Sequence, residues 1–240
     1  MMKRISIGLV LILGLLYVSS FVLAADENLL PNGNFEAVGA TDMGVEDRDL
    51  LYAFEARARN VTDDRWPSDW VIGGKPSKVI PSINGVVKED AVDGTNSLKL
   101  ASETNSLRLV ASSKPFKIDP SKKYKVSLWV KVLSCLEEQL NDGGWLNVYL
   151  GLYESPLEPL KFRMTGVGYK DRGCFNIAGY TILKDIKEGE LAPIGEWREL
   201  TITFESIVPE NAKYVNIMIA LEYSIAVILV DNVEVVEVSK

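Results

Sequence analysis

The sequence predicts an all-β protein, an antiparallel β-sandwich or jelly roll, and three observations indicate this fold class. Short segments in which apolar and polar residues alternate recur along the chain. An alternation with a period of two residues is typical of a strand that is buried on one face. Polar turns rich in Gly, Pro, Asn and Asp separate these segments. About 215 residues follow an apolar N-terminus, a length that suits one large all-β domain.

The strands follow from this alternation, taken in chain order. The last of them is nearly all apolar, which predicts burial on both of its faces. Many short strands with polar turns favour a sandwich or jelly roll over other all-β arrangements. The predicted strands are 98–100, 107–110, 124–132, 145–153, 200–204, 215–222 and 227–236.

Two long segments interrupt the strand pattern, at about 37–65 and 155–195. The first is charged and contains a possible short helix from Leu50 to Arg59; the second holds several Pro and Gly residues. Loops of this length in a compact domain are usually functional or disordered. We therefore predict a single β-sandwich domain over residues 25–240 with two long loop insertions.

Residues 1–24 have the pattern of a secretory signal peptide. Lys3 and Arg4 precede an apolar run that ends in small residues at Ala24 and Ala25. The alternative is an uncleaved membrane anchor, since the run is about long enough to span a bilayer. The small residues favour cleavage, and no second apolar stretch of spanning length follows. We expect a protein without membrane insertion after cleavage, located extracellularly, in a periplasm or at the cell surface.

Composition excludes several classes of function. The chain carries 26 Lys and Arg against 33 Asp and Glu, and loss of Lys3 and Arg4 changes the formal charge from −7 to −9. An acidic surface without a basic cluster argues against nucleic acids and anionic membranes as partners. The chain has no histidine. Catalytic systems that pair a serine or cysteine nucleophile with histidine are therefore excluded.

Cys135 and Cys174 are the two cysteines of the chain. In an exported protein, two cysteines indicate one disulfide more often than two reactive thiols. Such a bond would close a loop of about 40 residues and contribute on the order of 4 kcal/mol in the chain-entropy description.

The strand 145–153 carries the strongest signal for function. Its aliphatic residues fall on one face, and Trp145, Asn147, Tyr149 and Tyr153 fall on the other. Flat amphipathic rings beside an amide can hold a sugar, because the C–H faces of a pyranose stack on aromatics and its hydroxyls need hydrogen-bond partners. The alternative is that these rings pack under a second layer or an insertion, since aromatics are good strand formers in any case.

Several segments, in order, resemble carbohydrate-binding modules of families 4, 9 and 22, which share a galactose-binding-domain-like jelly roll. The resemblance covers essentially all of residues 28–236. The segments that carry it are 28–36 (NLLPNGNFE), Trp70, 93–100 (DGTNSLKL), 124–131 (YKVSLWVK), Trp197 and 230–235 (VDNVEV).

The resemblance implies a structural Ca²⁺ site where the first and last strands meet. By position, Glu36 and Asp231 would supply carboxylate ligands, and backbone oxygens near Asn34, Asp93 and Asn96 would complete the shell. The alternative is that Glu36 and Asp231 cap turns and pair with Lys or Arg, since carboxylates at turns are common without a metal.

The resemblance also implies a sugar-binding cleft on the concave sheet. Beside the residues of strand 145–153, it would take side chains from strands 124–132 and 215–222, with aromatics of the first insertion as a wall. Phe35, Trp70, Trp197 and Phe204 match positions that belong to the core. The further cleft residues are Trp129, Lys131, Asn216 and Glu222, with Trp66 and Tyr52 in the wall.

Three functions remain open on the sequence. The leading one is a secreted, non-catalytic protein that binds a neutral polysaccharide or oligosaccharide. The second is a structural or protein-interaction module at the cell surface, with a protein partner there. The third is a jelly-roll glycoside hydrolase, with Glu154 and Glu222 as paired carboxylates, or a polysaccharide lyase that uses Tyr149 with Lys131 or Arg163.

Overall fold

Two antiparallel sheets face each other across an aliphatic core. The computed structural model describes residues 27–39, 63–75, 83–88, 90–104, 108–135, 144–155, 158–159, 174–182, 195–204, 208 and 210–238. The predicted signal peptide, the helix predicted at 50–59 and most of both predicted insertions, with Tyr52 and Arg163, lie outside these residues. The predicted all-β sandwich is confirmed.

Twelve strands and one 3₁₀ helix, Asp63–Arg65, are found in the described ranges. In chain order the strands are β1 Trp70–Lys75, β2 Gly85–Val87, β3 Ser97–Ser102, β4 Arg108–Ser113, β5 Phe116–Lys117, β6 Lys123–Cys135, β7 Gly144–Ser155, β8 Glu158–Pro159, β9 Cys174–Ile182, β10 Trp197–Phe204, β11 Tyr214–Glu222 and β12 Ala226–Val238.

The first sheet has the order β1-β4-β11-β7-β8, and the short strand β5 also pairs with β11 while β9 pairs with β7. The second sheet has the order β10-β6-β12-β3-β2. Each of the seven predicted strands is present. Strands β1, β2, β5, β8 and β9 were not predicted, because they are short, interrupted by glycine or, in β9, lie within the second insertion.

The core lies between the sheets and is built from the apolar halves of the alternating strands. From β7, the inward residues Leu146, Val148, Leu150 and Leu152 are fully buried. Burial of one such aliphatic side chain stabilises the fold by roughly 1.5–3 kcal/mol. Three of the four aromatics assigned to the core from sequence lie in it: Phe35, Trp70 and Phe204.

The last strand is buried on both faces in its first half, as predicted. Ile228 and Val230 belong to the core, while Leu229 and Asp231 are 2% and 0% exposed on the opposite face. The pairing of β12 with β6 is irregular between Asp231 and Glu234, and Asn232 there has a φ of 44°. This irregularity adds a bend to the strand.

The N-terminal segment is fixed along β12. The Leu29 N–H donates to the Val235 carbonyl at 2.8 Å, and the Val233 N–H donates to the Gly33 carbonyl at 2.9 Å. A Cβ at position 33 would collide with the Val233 carbonyl oxygen. Glycine is therefore required at this position for the first described segment to lie against the last strand.

No helix among the described residues is both long and apolar enough to cross a membrane.

Candidate functional site

The pairing of β7 with β11 assembles one polar surface, the outer face of the first sheet. Residues opposite each other in this register share a face. Asn147 lies opposite Ala220, Tyr149 opposite Met218, and Gly151 opposite Asn216. The outer face therefore brings together five residues predicted to bind a ligand, namely Asn147, Tyr149, Tyr153, Asn216 and Glu222.

The middle of this face is packed rather than open. Tyr149 and Met218 form a small apolar cluster with Val110 and Ala220. Tyr149 and Tyr153 are each 4% exposed, so neither ring presents a free face to solvent. These two tyrosines therefore agree with the alternative stated from the sequence, in which the aromatics of this strand pack under other parts of the chain.

A group of hydrogen-bonded side chains, the Glu222 cluster, occupies one end of the face. It consists of Glu222, Asn147, Tyr149, Arg108 and Tyr223. The Asn147 amide donates to Glu222 Oε2 at 2.7 Å, and the Tyr149 hydroxyl donates to the same oxygen at 3.0 Å. The Arg108 Nε lies 3.6 Å from the other oxygen, Glu222 Oε1. These contacts fix the carboxylate plane.

Glu222 Oε1 has no hydrogen-bond partner within the described part of the chain, although Glu222 is only 5% exposed. Asn216 Oδ1, on the same face, is also buried without one. A buried acceptor that lacks its hydrogen bond costs roughly 1–3 kcal/mol. Such groups in a folded protein call for an explanation, and a functional role is one of the recognised ones.

The Glu222 cluster reaches solvent through Tyr223 and Arg108. Tyr223 is 45% exposed, and the Arg108 guanidinium lies over its ring at 4.9 Å from the centroid. Arg108 also donates a hydrogen bond to the Tyr223 hydroxyl. The Tyr223 ring is therefore an exposed aromatic surface held by a cation, directly beside a buried carboxylate.

Neither Tyr223 nor Arg108 was predicted from the sequence to belong to the site. Tyr223 follows Glu222 directly at the end of a strand, and an aromatic in a turn was the signal that could have identified it. Arg108 reaches the cluster through the pairing of β4 with β11, which joins residues more than 100 positions apart. No local pattern in the sequence could have indicated that contact.

Trp145 lies at the same end of the first sheet, where its backbone pairs with Glu222 on one side and Thr181 on the other. The side chain of Trp145 lies outside what the structure describes. Its predicted role as a stacking ring stays a prediction.

Trp129 and Lys131 lie in the other sheet, which corrects their assignment to the cleft. Both belong to β6, and the core separates β6 from the outer face of the first sheet. The alternation of strand 124–132 fixed the face of each side chain but not the sheet to which the strand belongs.

Trp66 also lies elsewhere than predicted. It is 4% exposed within the core, and its indole N–H donates to the Trp70 carbonyl at 2.9 Å. Because the polar atom of the ring is satisfied by backbone, Trp66 packs inside the fold and forms no wall of a cleft.

On the outer face of the second sheet, Asp90 joins Lys131 to Trp197. Lys131 donates to Asp90 Oδ2, and the Trp197 indole N–H donates to Asp90 Oδ1 at 2.9 Å. Trp197 is half-buried here, opposite Lys131 in the strand pairing. The prediction that Trp197 belongs to the core is therefore wrong. The hydrogen bond from Lys131 is the largest cause that lowers the pKa of Asp90 below its ordinary value of 3.8.

The carboxylates proposed for hydrolysis are far apart. Glu154 and Glu222 lie on the neighbouring strands β7 and β11, but Glu222 pairs with Trp145, nine positions before Glu154. At about 3.3 Å per residue the two backbone positions are roughly 30 Å apart. Retaining hydrolysis requires carboxyl groups about 5 Å apart and inverting hydrolysis at most about 10 Å. The two residues therefore cannot act as such a pair.

The lyase arrangement with Lys131 fails for a similar reason, whereas the alternative with Arg163 lies outside the described residues and stays a prediction. Tyr149 lies on the first sheet and Lys131 on the second, with the core between them. Lys131 cannot reach a substrate bound beside Tyr149.

The two cysteines lie in different sheets. Cys135 ends β6 of the second sheet, and Cys174 begins β9 of the first. The described part of the structure contains no disulfide bond between them. The disulfide stays a prediction.

The residues that the resemblance implies for calcium lie close together, but their carboxylate oxygens accept hydrogen bonds from backbone N–H groups. Glu36 Oε1 accepts from the backbone N–H groups of Thr95 and Asn96, both at 2.7 Å. Asp231 Oδ2 accepts from the N–H groups of Val92 and Asp93, at 2.6 and 3.0 Å. Both carboxylates cap the turn at 92–96, which is the alternative stated from the sequence, with backbone donors in place of Lys or Arg.

The two carboxylates differ in pKa because their surroundings differ. Burial raises the pKa of Asp231, and hydrogen bonds from Asp93, Val92 and Asn232 offset part of that effect. Burial also acts to raise the pKa of Glu36, but hydrogen bonds from Thr95 and Asn96 outweigh it, so this pKa is lowered.

Comparison with known proteins adds likenesses of fold. No protein-family model matches the chain, and no curated protein matches it. A family 61 carbohydrate-binding module in complex with β-1,4-galactotriose has a TM-score of 0.44 and 14% identity, over 88% of this chain and 99% of that one. Modules of families 4 and 22, two of the families named by the sequence resemblance, are also among the matched structures.

Two larger proteins also match. The first is the enzymatically active domain of tailspike protein 4 from bacteriophage CBA120, with 14% identity over 71% of this chain and a TM-score of 0.46. The second is the family 22 module and catalytic module of Clostridium thermocellum xylanase 10B with xylohexaose, with 13% identity over 77% and a TM-score of 0.43.

The chain spans only 20% of the tailspike chain and 28% of the xylanase chain. With TM-scores below 0.5, these likenesses leave ligand and activity to be argued from the residues of the site.

Replacement of Gly151 by alanine tests the packing of the outer face. The new Cβ would overlap Asn216 Oδ1 and crowd the Tyr153 ring. Asn216 cannot move freely, because its amide donates to Ser112 Oγ at 2.8 Å. We expect Gly151→Ala to reduce the free energy of unfolding in urea by about 1–3 kcal/mol. In an Asn216→Ala background the added cost should be much smaller; an equal cost in both backgrounds would contradict the clash.

The pH dependence of stability tests the Asp90 contacts. Because the pKa of Asp90 is lowered by folding, its ion pair stabilises the protein above pH 3.8, and this contribution is lost as the pH falls below that value. We expect Asp90→Asn to destabilise the protein by up to about 1 kcal/mol at pH 7, since the pair is partly exposed. Urea unfolding should show this difference shrinking at acid pH. Glu199→Gln, an exposed change on the same sheet, serves as the control, and a pH-independent difference would contradict the assignment.

Proposed function

We propose that this chain is a secreted, non-catalytic carbohydrate-binding protein that holds one end of a neutral polysaccharide or oligosaccharide at the Glu222 cluster. The single observation that carries the proposal is the buried Glu222 carboxylate, with one oxygen bound by Asn147 and Tyr149 and the other without a hydrogen bond. Secretion rests on the signal-peptide pattern of residues 1–24.

Glu222 Oε1, buried 3.6 Å from the Arg108 Nε and without a hydrogen bond, selects for a ligand that donates hydrogen bonds once the side chains that cover it move aside. A carboxylate accepts hydrogen bonds and cannot donate them when ionised, so a partner group must carry an O–H or N–H. Sugar hydroxyls meet this requirement, and hydrogen bonds to a charged acceptor are about twice as strong as neutral ones. The formal charge of −7 disfavours polyanionic glycans, which leaves neutral ones as the better ligands.

Tyr223 supplies the apolar part of the recognition. Its ring is the exposed aromatic surface beside Glu222, and a pyranose can stack its C–H face on such a ring. The Arg108 guanidinium restrains the ring through a cation–π contact and a hydrogen bond. A ring that is already ordered loses less conformational entropy when a ligand binds.

The accessible area limits the ligand to a chain end or a short oligosaccharide. Tyr149, Tyr153, Asn216 and Met218 are all at most 4% exposed, so the described part of the face offers no long open groove. A small contact with one stacking ring favours modest affinity, on the order of 10–1000 μM.

The distance between Glu222 and Glu154 supports a non-catalytic role. Glu222 is the carboxylate of the cluster, and Glu154, the partner considered for hydrolysis, is roughly 30 Å away along β7. A single fixed carboxylate beside an arginine suits binding better than acid–base chemistry on a glycosidic bond.

Two variants on a neutral-glycan array test the proposal. We expect Glu222→Gln to weaken binding tenfold or more, because it removes a charged acceptor. Tyr223→Ala should weaken binding by a similar factor, through loss of the stacking surface. Since Tyr223 is 45% exposed, its removal should change the Tm by less than about 2 °C.

Tyr214→Ala is the matched control, since Tyr214 lies on the same strand about 27 Å from Glu222. Its glycan binding should remain at the level of the unaltered protein. Equal binding by all three variants would place the site elsewhere. Binding of no glycan by the folded, unaltered protein would contradict the proposal and favour the role in protein interactions at the cell surface.

A further inference from the structure

We propose that the first segment and the last strand are joined by a metal-free clasp, made of Glu36, residues 92–96 and Asp231, so that the fold does not require the calcium ion that the sequence resemblance implies. This proposal is independent of the carbohydrate site, because the clasp lies at the second sheet and shares no residue with the Glu222 cluster.

Glu36 binds the turn through both carboxylate oxygens. Oε1 accepts two backbone N–H groups, from Thr95 and Asn96, and Oε2 accepts the Thr95 hydroxyl at 3.1 Å. The two N–H groups use both lone pairs of Oε1. An oxygen in this condition is saturated by donors and has no lone pair left for a cation.

Asp231 Oδ2 is saturated in the same way from the other side of the turn. Oδ2 accepts the N–H groups of Val92 and Asp93, and Oδ1 accepts the N–H of Asn232 at 2.7 Å. Asp231 is fully buried. Three hydrogen bonds from backbone amides offset part of the cost of burying this carboxylate, a task that a cation would otherwise perform.

The backbone oxygens beside Glu36 are also occupied by a donor. The Asn96 side-chain amide donates to the Phe35 carbonyl at 3.2 Å and to the Glu36 carbonyl at 3.4 Å. The Asn34 side-chain oxygen accepts from the Glu36 N–H at 3.5 Å. Asp93 and Asn96 contribute their backbone N–H groups to the two carboxylates.

Calcium requires six to eight oxygen ligands at about 2.3–2.6 Å. Among the described residues, no three acidic, histidine or cysteine side chains come together in a group that could hold a metal ion. The shape of the turn suits Glu36 instead: Gly94 has a φ of 69°, and a Cβ there would collide with Glu36 Oε1. Glycine thus lets the turn close directly on the carboxylate.

Thermal unfolding of the purified protein in millimolar CaCl₂ and in excess EDTA tests the clasp. We expect the same Tm in both, and no calcium uptake in equilibrium dialysis. A cation that binds the folded state alone would raise the Tm by roughly 5 °C or more at saturation. Such a rise, or uptake of one calcium ion per chain, would overturn the proposal.

The variant Glu36→Gln is a second test that distinguishes the metal-free clasp from a calcium site. The change replaces a charged acceptor by a neutral one and puts an amide NH₂ group where Oε2 accepts the Thr95 hydroxyl, so we expect a lower Tm by the same amount with calcium and with EDTA. If calcium joined the two segments, the variant would instead lose a calcium-dependent increase in Tm. Glu103→Gln is the matched control and should leave the Tm unchanged. Glu103 is exposed and directly follows β3, the strand that begins after the turn at 92–96.

Discussion

The register between β7 and β11 is the constraint on which the rest of this structure depends. These two strands lie at the centre of the first sheet, and their pairing fixes which side chains enter the core and which meet on the outer face. A slip of one residue in either strand would exchange the two faces. It would bury Glu222 among aliphatic side chains and expose leucines. Burial of the inward aliphatic residues therefore also fixes the positions of the outward polar residues.

Glu222 and Asp231 show two ways in which a protein can bury a carboxylate. Asp231 accepts three backbone N–H groups, which offset part of the cost of its burial and join two segments. Glu222 is bound on one oxygen only, and its other oxygen has an arginine nearby without a hydrogen bond. A buried carboxylate oxygen without a hydrogen bond, next to an exposed aromatic ring, is suited to a ligand, whereas a carboxylate with hydrogen bonds on both oxygens is suited to structure.

The alternation within strands allowed most of the fold to be predicted, but not the assignment of strands to sheets. It separated Leu146 and Val148 from Asn147 and Tyr149 correctly, because a strand places successive side chains on opposite faces. The same argument put Lys131 on the correct face of its strand. It could not show that this strand lies in the second sheet, since sheet membership is decided by contacts between distant parts of the chain.

The candidate site could be predicted only where the information was local. Asn147 and Glu222 each stood out within a strand, yet Arg108 meets them through the pairing of β4 with β11. The exposure of each aromatic could not be predicted either. Trp66 is buried, with its indole N–H bonded to the Trp70 carbonyl, while Tyr223 is exposed to solvent. Burial depends on what the folded chain places next to a ring, and residue type does not reveal it.

The most direct test of the account is an NMR titration of the ¹⁵N-labelled protein with a neutral oligosaccharide identified on the array. If the ligand binds at the Glu222 cluster, the largest amide shifts will be those of Arg108, Glu222 and Tyr223. Shifts that centre instead on Trp129 and Lys131, on the outer face of the second sheet, would show that the ligand binds elsewhere and would contradict the account.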